Sequence, residues 1–444
     1  MTALATPPGP TGLPFLGNSL NYARDPLGTL SDLAREYGDI AHSRYAGADV
    51  FLVVQPAAIE HVLVKNRANY QKDRFLRSLR DVLGDGLLTS EGERWKADRK
   101  LMAPAFTPRR IHAYAGTMVA CAREAEASWE DEVDVTEAMT RLTLEVAVRT
   151  LFGTTSSEDA RRVGEAFRAV AEFFGHAVSV PLPVGWWSWI PTRRNTRYRR
   201  ARRELEDVVA RIVRERRADP SGDDLLSAML AARDEEGRGL DDGQLRDQVL
   251  TLLLAGHETT SLLLTYVWDA LARNPAVEAR LHAELEQVLG GRDPELADLE
   301  RLPYLRQVVQ ETLRLYPPAA IMGREAIGED EIQGYRIPQG SIVLMSQWVT
   351  QRDPRFFPSP HAFDPERWAP GREAERPRFA YFPFGGGQRI CIGEAFAMLE
   401  ARLVIATLAQ RRRFVATSAF PPRLGVSITL RPRDPVRMQL PRRG

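Results

Sequence analysis

The run LDDGQLRDQVLTLLLAGHETTSLLLTYVWDALARNP, residues 240 to 275, limits the possible folds more than any other part of the chain. Apolar residues fall on several of its sides and Asp241 and Pro275 bound it, which predicts one long buried helix. At a rise of 1.5 Å per residue it would extend about 50 Å, enough to cross the whole molecule. A helix buried all round needs other elements packed about it. The 444 residues, 44% hydrophobic and 27% charged, can supply a large core.

The charge balance excludes some partners. Lys and Arg total 60 against 59 for Asp and Glu, so the net field offers nothing to a polyanion and nucleic acid is not expected. Cys121 and Cys391 are too distant in sequence and context for a disulfide framework, and a reducing cytoplasm is the expected compartment. Cys121, inside VACAREAEASW, reads as a core thiol. No stretch approaches the roughly 20 apolar residues of a membrane span, and the N-terminus has no basic segment leading into an apolar run, so a soluble protein is expected.

Along the chain, residues 1–20 are proline-rich, residues 28–38 are helical in pattern, and residues 39–56 read as two strands around Ala46–Asp49. AAIEHVLVKN is helical again, and Tyr70 to Ser90 weakens into a connection expected to be a flexible loop. Three helical segments are expected between Glu91 and Gly153. The prolines and three tryptophans of AVSVPLPVGWWSWI predict a loop anchored by Trp186, Trp187 and Trp189, and RRNTRYRRARRELEDVVARIVRERR after it an amphipathic helix with a solvated basic start. Helices run on to Tyr316, where Pro317 and Pro318 stop them. EDEIQGYRIPQGSIVLMSQ alternates like strands, and residues 352–381 form a proline-rich meander without regular structure.

The stretch FPFGGGQRICIGEAFA, residues 382 to 397, carries the chemistry. Gly385, Gly386 and Gly387 let the backbone turn sharply and lie flat against a large planar ligand. EAFAMLEARLVIATL then reads as a helix with Phe396, Leu399 and Leu403 on one face and Glu394 in its first turn. Cys391 thus precedes a helix N-terminus, whose N–H groups and positive dipole end favour the thiolate over the thiol. A single anionic sulfur suits haem iron; the plainer reading of such a cysteine is a small buried hydrophobe.

With its phenylalanine, glycine, arginine and cysteine in this order, the stretch resembles the cysteine loop of the cytochrome P450 family of haem-thiolate monooxygenases. The resemblance spans the chain from the PPGPTGLPFLGN segment, similar to the hinge after the anchor of microsomal members, to the terminal strands. With that anchor absent, a bacterial type is implied. The implied fold is mainly α with small β-sheets, one helix-rich domain over residues 1–444, with a long central helix at 240–275 and a meander and cysteine loop at 352–390. Haem b would lie between that helix and the cysteine-bearing one, with Cys391 as the axial iron ligand and Phe384, Gly385, Gly393 and Ala255 against the cofactor.

Further motifs extend the resemblance. AGHETT, Ala255 to Thr260, matches the family's oxygen-binding motif. It implies catalytic roles for Thr259, whose hydroxyl can bond back to a carbonyl, and Glu258, a proton relay; Gly256 sits where bulk is unwelcome, and His257 is a bystander or wall residue. Glu311 and Arg314 of ETLR, with Arg367 of FDPERW, resemble a structural network that fixes the meander. Trp95 and Arg99 match WxxxR and can donate to a haem propionate, with Arg324 and Arg389 as further partners.

The resemblance places Arg74 to Leu88, Phe173 to Ile190, Leu253 to Ala255, Ala319 to Met322 and Leu424 to Ile428 around the substrate, with Leu254, Ala255, Ala319, Ala320, Ile321 and Met322 as pocket residues. Their apolar character implies a hydrophobic small molecule of terpenoid, fatty acid, steroid or polyketide type. Arg74, Arg77 and Arg80 read as solvated loop charge. Electrons would come from NAD(P)H through a separate ferredoxin or flavodoxin and its reductase to a cytoplasmic monomer, with Arg94, Lys96 and Lys100 as a basic docking patch. The rivals are a peroxide-using or rearranging haem-thiolate enzyme and a non-catalytic haem or ligand carrier.

Overall fold

The structure, a computed structural model, describes residues 5–153, 190–219 and 222–443, together with positions 162, 165, 166, 169, 170 and 173. The tryptophans of the 186–189 stretch lie outside the described residues. Helices dominate, and the longest is the central helix Asp242–Arg273. A reciprocal cap starts it: the Gln244 N–H donates to the Asp241 carboxylate and the Asp241 N–H to the Gln244 side chain, both at 2.8 Å. Asn274 ends it, and Pro275 opens the next helix, Pro275–Leu289.

The two ends of this helix serve different cores. Leu245, Val249, Leu250, Leu253 and Leu254 pack with Leu205, Val208 and Ile212 of the helix Arg193–Ala218 and with Leu144 and Val148 of the helix Val135–Phe152. Leu263, Leu264, Val267, Trp268 and Leu271 pack instead with Leu399, Leu403 and Val404 of the cysteine helix, Glu394–Ala409, and Leu305 and Val309 of the helix Pro303–Leu315. Residues 255–261 belong to neither core. Apolar burial thus clamps the helix on both sides of AGHETT and leaves that turn for another purpose.

The strands expected at 39–56 are Ile40–Tyr45 and Ala48–Val53, turning at Ala46 and Gly47. They enter a five-stranded sheet that continues with Ile342–Met345, Met322–Ala326 and Tyr70–Lys72. The last pairing sets Lys72 directly opposite Arg324. Near the C-terminus, Leu424–Val426 and Leu430–Pro432 form a hairpin that packs through Leu430 on Leu262 and Tyr266 of the central helix.

Three expectations need correction. Tyr70 to Ser90 is not a flexible loop: it holds the strand Tyr70–Lys72 and the helices Arg74–Ser78 and Arg80–Leu83. The Asp73 carboxylate caps the first helix through the Phe75 and Leu76 N–H groups, and Leu79, Val82 and Leu83 are buried, in elements too short to show a period. Four α-helices, not three, lie between Glu91 and Gly153, because Pro104 and Pro108 interrupt the first apparent run. The meander carries 3₁₀ turns at Pro365–Trp368, Arg372–Glu375 and Arg378–Ala380.

Candidate active site

Gly385 and Gly387 have φ of 74° and 67°, the left-handed region that side chains disfavour. A Cβ on Gly387 would stand 2.2 Å from the Leu63 carbonyl oxygen, and one on Gly386 2.4 Å from the Phe379 ring. The loop is therefore pressed onto its neighbours before it delivers Cys391, whose N–H donates to the Phe384 carbonyl at 3.0 Å. Cys391 lies deep in the protein, yet its side chain is exposed to a cradle between the cysteine loop and the central helix. Burial pushes the thiol up, while the Gly393 and Glu394 N–H groups and Arg99 pull it down and the Glu394 carboxylate pushes it up. Burial wins. The helix N-terminus pulls toward the thiolate, as the sequence leads one to expect, but burial outweighs it.

Across the cradle, the central helix opens at Ala255, which is exposed, and at Gly256 and Thr259, which are half-buried. Leu254 and Ile392, the sequence neighbours of Ala255 and Cys391, both pack into one apolar cluster. The Thr259 hydroxyl donates to the Ala255 carbonyl at 2.7 Å, and Thr260 repeats this to Gly256 at 3.0 Å. From outside, Thr143 donates to the His257 carbonyl at 2.9 Å. Beyond its own helical turn, no described protein atom comes within 4 Å of a Cβ built on Gly256, so packing by neighbouring elements does not demand a glycine there. His257 is buried with its ring against the Leu253 carbonyl, and burial lowers its pKa. Glu258 does not face the cradle freely: it is buried and paired with Arg431 and Thr429 of the C-terminal hairpin.

At the cradle's edge, cations outnumber acids. Arg389 pairs with Glu91 through Nη2, lies over the Trp95 ring at 4.5 Å, and leaves Nη1 buried with no hydrogen-bond partner among the described residues. Arg324 is buried, donates to the Gly323 carbonyl, and meets no carboxylate of the described residues. Burial, then Arg389, pushes its pKa down to about 10. Arg99 likewise has no acid partner among the described residues; burial lowers its pKa while Cys391 raises it. Lys72 donates to the Leu87 and Ser90 carbonyls, and burial, then Arg389, pushes it down to about 7. Lys72 and Glu91 escaped the sequence reading; a lone lysine before a capping aspartate is their only signal. This desolvated, undercompensated cluster fits a ligand with two carboxylates, as haem has.

Glu311 and Arg314 are fully buried in a two-bond pair, both at 2.8 Å, and Arg367 reaches the same carboxylate at 3.3 Å. Arg314 also donates to the carbonyls of Gln351, Pro360 and Ala362, and Arg367 to those of Pro358 and Ser359. The Trp368 indole and Asp364 N–H, missed in the sequence, complete the carboxylate's shell.

Of the residues expected around the substrate, Ala320 and Ile321 pack with Leu424 and Val426 of the hairpin, and Met322 lies against Gly385. Ala319 is half-buried beside them, whereas Leu254 belongs to the cluster that includes Ile428. Arg74 and Arg77 pair with Glu325, and Arg80 with Asp85. Arg94, Lys96 and Lys100 pair with Asp98, Glu93 and Glu235, so they form no uncompensated basic patch.

A helical body that holds one cysteine opposite a threonine-lined turn is the architecture of a haem-thiolate enzyme. A family model for cytochrome P450 matches residues 7–439. The chain is 39% identical to cyclooctatin synthase of Streptomyces melanosporofaciens, over 95% of this chain and 93% of that protein. It is 38% identical to cyclooctat-9-en-7-ol 5-monooxygenase of the same organism, over 91% and 88%. The retinoic acid-bound cyanobacterial CYP120A1 superposes with a TM-score of 0.89 at 31% identity, over 99% of this chain and 100% of that one. The chain belongs to the cytochrome P450 family, with that family's fold, and is an enzyme of its monooxygenase type. Membership implies haem. Among the described residues no helix is long and apolar enough to cross a membrane.

Proposed function

We propose that this P450 inserts one oxygen atom from O2 into a terpenoid-type hydrophobic molecule, with electrons from NAD(P)H passing through a separate ferredoxin or flavodoxin and its reductase. The observation that carries the reading is the break in the central helix's burial at Ala255, Gly256 and Thr259, opposite Cys391. The substrate class is supported by the apolar cluster of Ala320, Ile321, Leu424 and Val426, where the family resemblance puts substrate, and by a relative named for oxidising cyclooctat-9-en-7-ol, an unsaturated alcohol.

Cys391 would hold haem iron, and Arg99, Arg324, Arg389 and Lys72 its two carboxylates, with Trp95 supporting Arg389. Bound there, haem supplies the oxygen-activating chemistry, which a thiolate ligand favours. The protein's part is to exclude water and to move protons. The Thr259 proton rests on the Ala255 carbonyl and swings to an acceptor in the cradle by rotation about one bond. Glu258 resupplies it from the hairpin side.

The test pairs spectrum with product. The haem-loaded parent should show the reduced, CO-bound absorption band of thiolate ligation, and Cys391→Ser should not. Terpene alkenes and alcohols offered with labelled dioxygen and NADPH-driven ferredoxin should gain one labelled atom. A parent without that band, or turnover with peroxide that NADPH and ferredoxin cannot drive, would overturn the reading.

A further inference from the structure

Glu258 is held in a way the proposed proton path does not require. Thr429 and Arg431 Nη2 both donate to its Oε1, and Arg431 Nε donates to the same oxygen at 2.9 Å. Arg431 Nε also spans to the Thr429 hydroxyl at 3.1 Å, so the two donors brace each other. Oε2 receives no hydrogen bond from any described residue.

The hairpin that supplies these donors is anchored at its centre. The Leu430 N–H donates to the Pro318 carbonyl at 2.9 Å, and the Leu430 carbonyl accepts from the Tyr266 hydroxyl at 3.1 Å. Leu430 is fully buried between Thr429 and Arg431. Thr429 and Arg431 therefore project from a fixed point toward the central helix, and their grip on Glu258 is part of the fold. The same hairpin packs on Ala320 and Ile321, so one element touches both the proposed pocket and the carboxylate.

We propose that Arg431 and Thr429 are positioning residues for proton delivery: by pinning Oε1 they leave Oε2 as the oxygen that carries the proton. This rests on the reading of Glu258 as the relay. In each transfer one proton arrives at Oε2 from solvent and one leaves it toward Thr259. Arg431 keeps its own proton throughout, because a guanidinium is not an acid in this range. A carboxylate free to rotate would present either oxygen to either side, and transfer would lose its direction. The adjacent His257 has its ring turned to the Leu253 carbonyl.

The test uses haem-loaded Arg431→Gln, Arg431→Lys, Thr429→Val and Glu258→Gln beside the parent. Dioxygen reduction is driven by NADPH with a heterologous ferredoxin and reductase, and hydrogen peroxide released per O2 and the solvent deuterium effect are read. In the resting protein, the infrared carboxylate band that disappears in Glu258→Gln is followed in the other variants. Arg431→Gln should raise the peroxide fraction about threefold, raise the solvent effect about twofold and shift the band, with Arg431→Lys recovering most of each. Thr429→Val should move all three the same way by less, and decides the question if Arg431→Gln does not fold. An effective Glu258→Gln beside Arg431 and Thr429 variants that change only the melting temperature overturns the positioning role. A silent Glu258→Gln overturns the relay reading itself, and the positioning role with it.

Discussion

The guanidinium of Arg389 lies 4.5 Å from the centroid of the Trp95 ring, which thereby acts as its support. Trp95 is buried, so the stack is shielded from water, where such contacts contribute about 1–2 kcal/mol. Trp95→Leu should keep the fold and lose haem to a scavenger protein roughly tenfold faster than the parent. An unchanged loss rate would remove Trp95 from the cofactor's support.

Glu311 accepts from two buried arginines, a buried indole and the half-buried Asp364 N–H. Glu311→Gln leaves two guanidiniums in the interior without a countercharge, at a cost of about 3–5 kcal/mol. The expected result is a sharply lower melting temperature and little haem per protein in the soluble fraction. Normal haem content would show that the meander is held by other means.

Two glycines should respond oppositely to alanine. Gly387→Ala forces a side chain into φ of 67° and against the Leu63 carbonyl, and should abolish haem retention. Gly256→Ala meets no described atom within 4 Å beyond its own helical turn and gains helix propensity of up to about 1 kcal/mol, so the haem-free protein should melt no lower than the parent.

Lys72 gives the haem-free protein a pH dependence. Burial, with Arg389 next, lowers its pKa from 10.5 to about 7. Across that window the unfolded chain binds a proton that the folded chain has released, so stability rises with pH, by on the order of 5 kcal/mol. Lys72→Met should flatten that rise in urea unfolding of haem-free protein. An equal rise in both proteins would assign it to another group.

What the sequence disclosed, and what it hid, follows one division. Cys391 with its glycines, Thr259 with the carbonyl four residues back, and Glu311 with Arg314 each depend on contacts within a single turn or loop, and short motifs encode those directly. Glu91 beside Arg389, Arg431 on Glu258 and Lys72 opposite Arg324 join residues from distant parts of the chain. Nothing local marks them. The helices of Arg74–Ser78 and Arg80–Leu83 were hidden for a different reason, since four or five residues are too few to display a helical period.

The register of Lys72 against Arg324 also bears on how the protein is assembled. These residues are about 250 positions apart, so the pairing exists only after a very long loop has closed, an entropically slow event. On a ribosome, the cysteine and the sheet's far strands emerge late. On the proposed ligation by Cys391, cofactor capture would then be the last act of maturation, and a truncated or stalled chain would have no grip on haem.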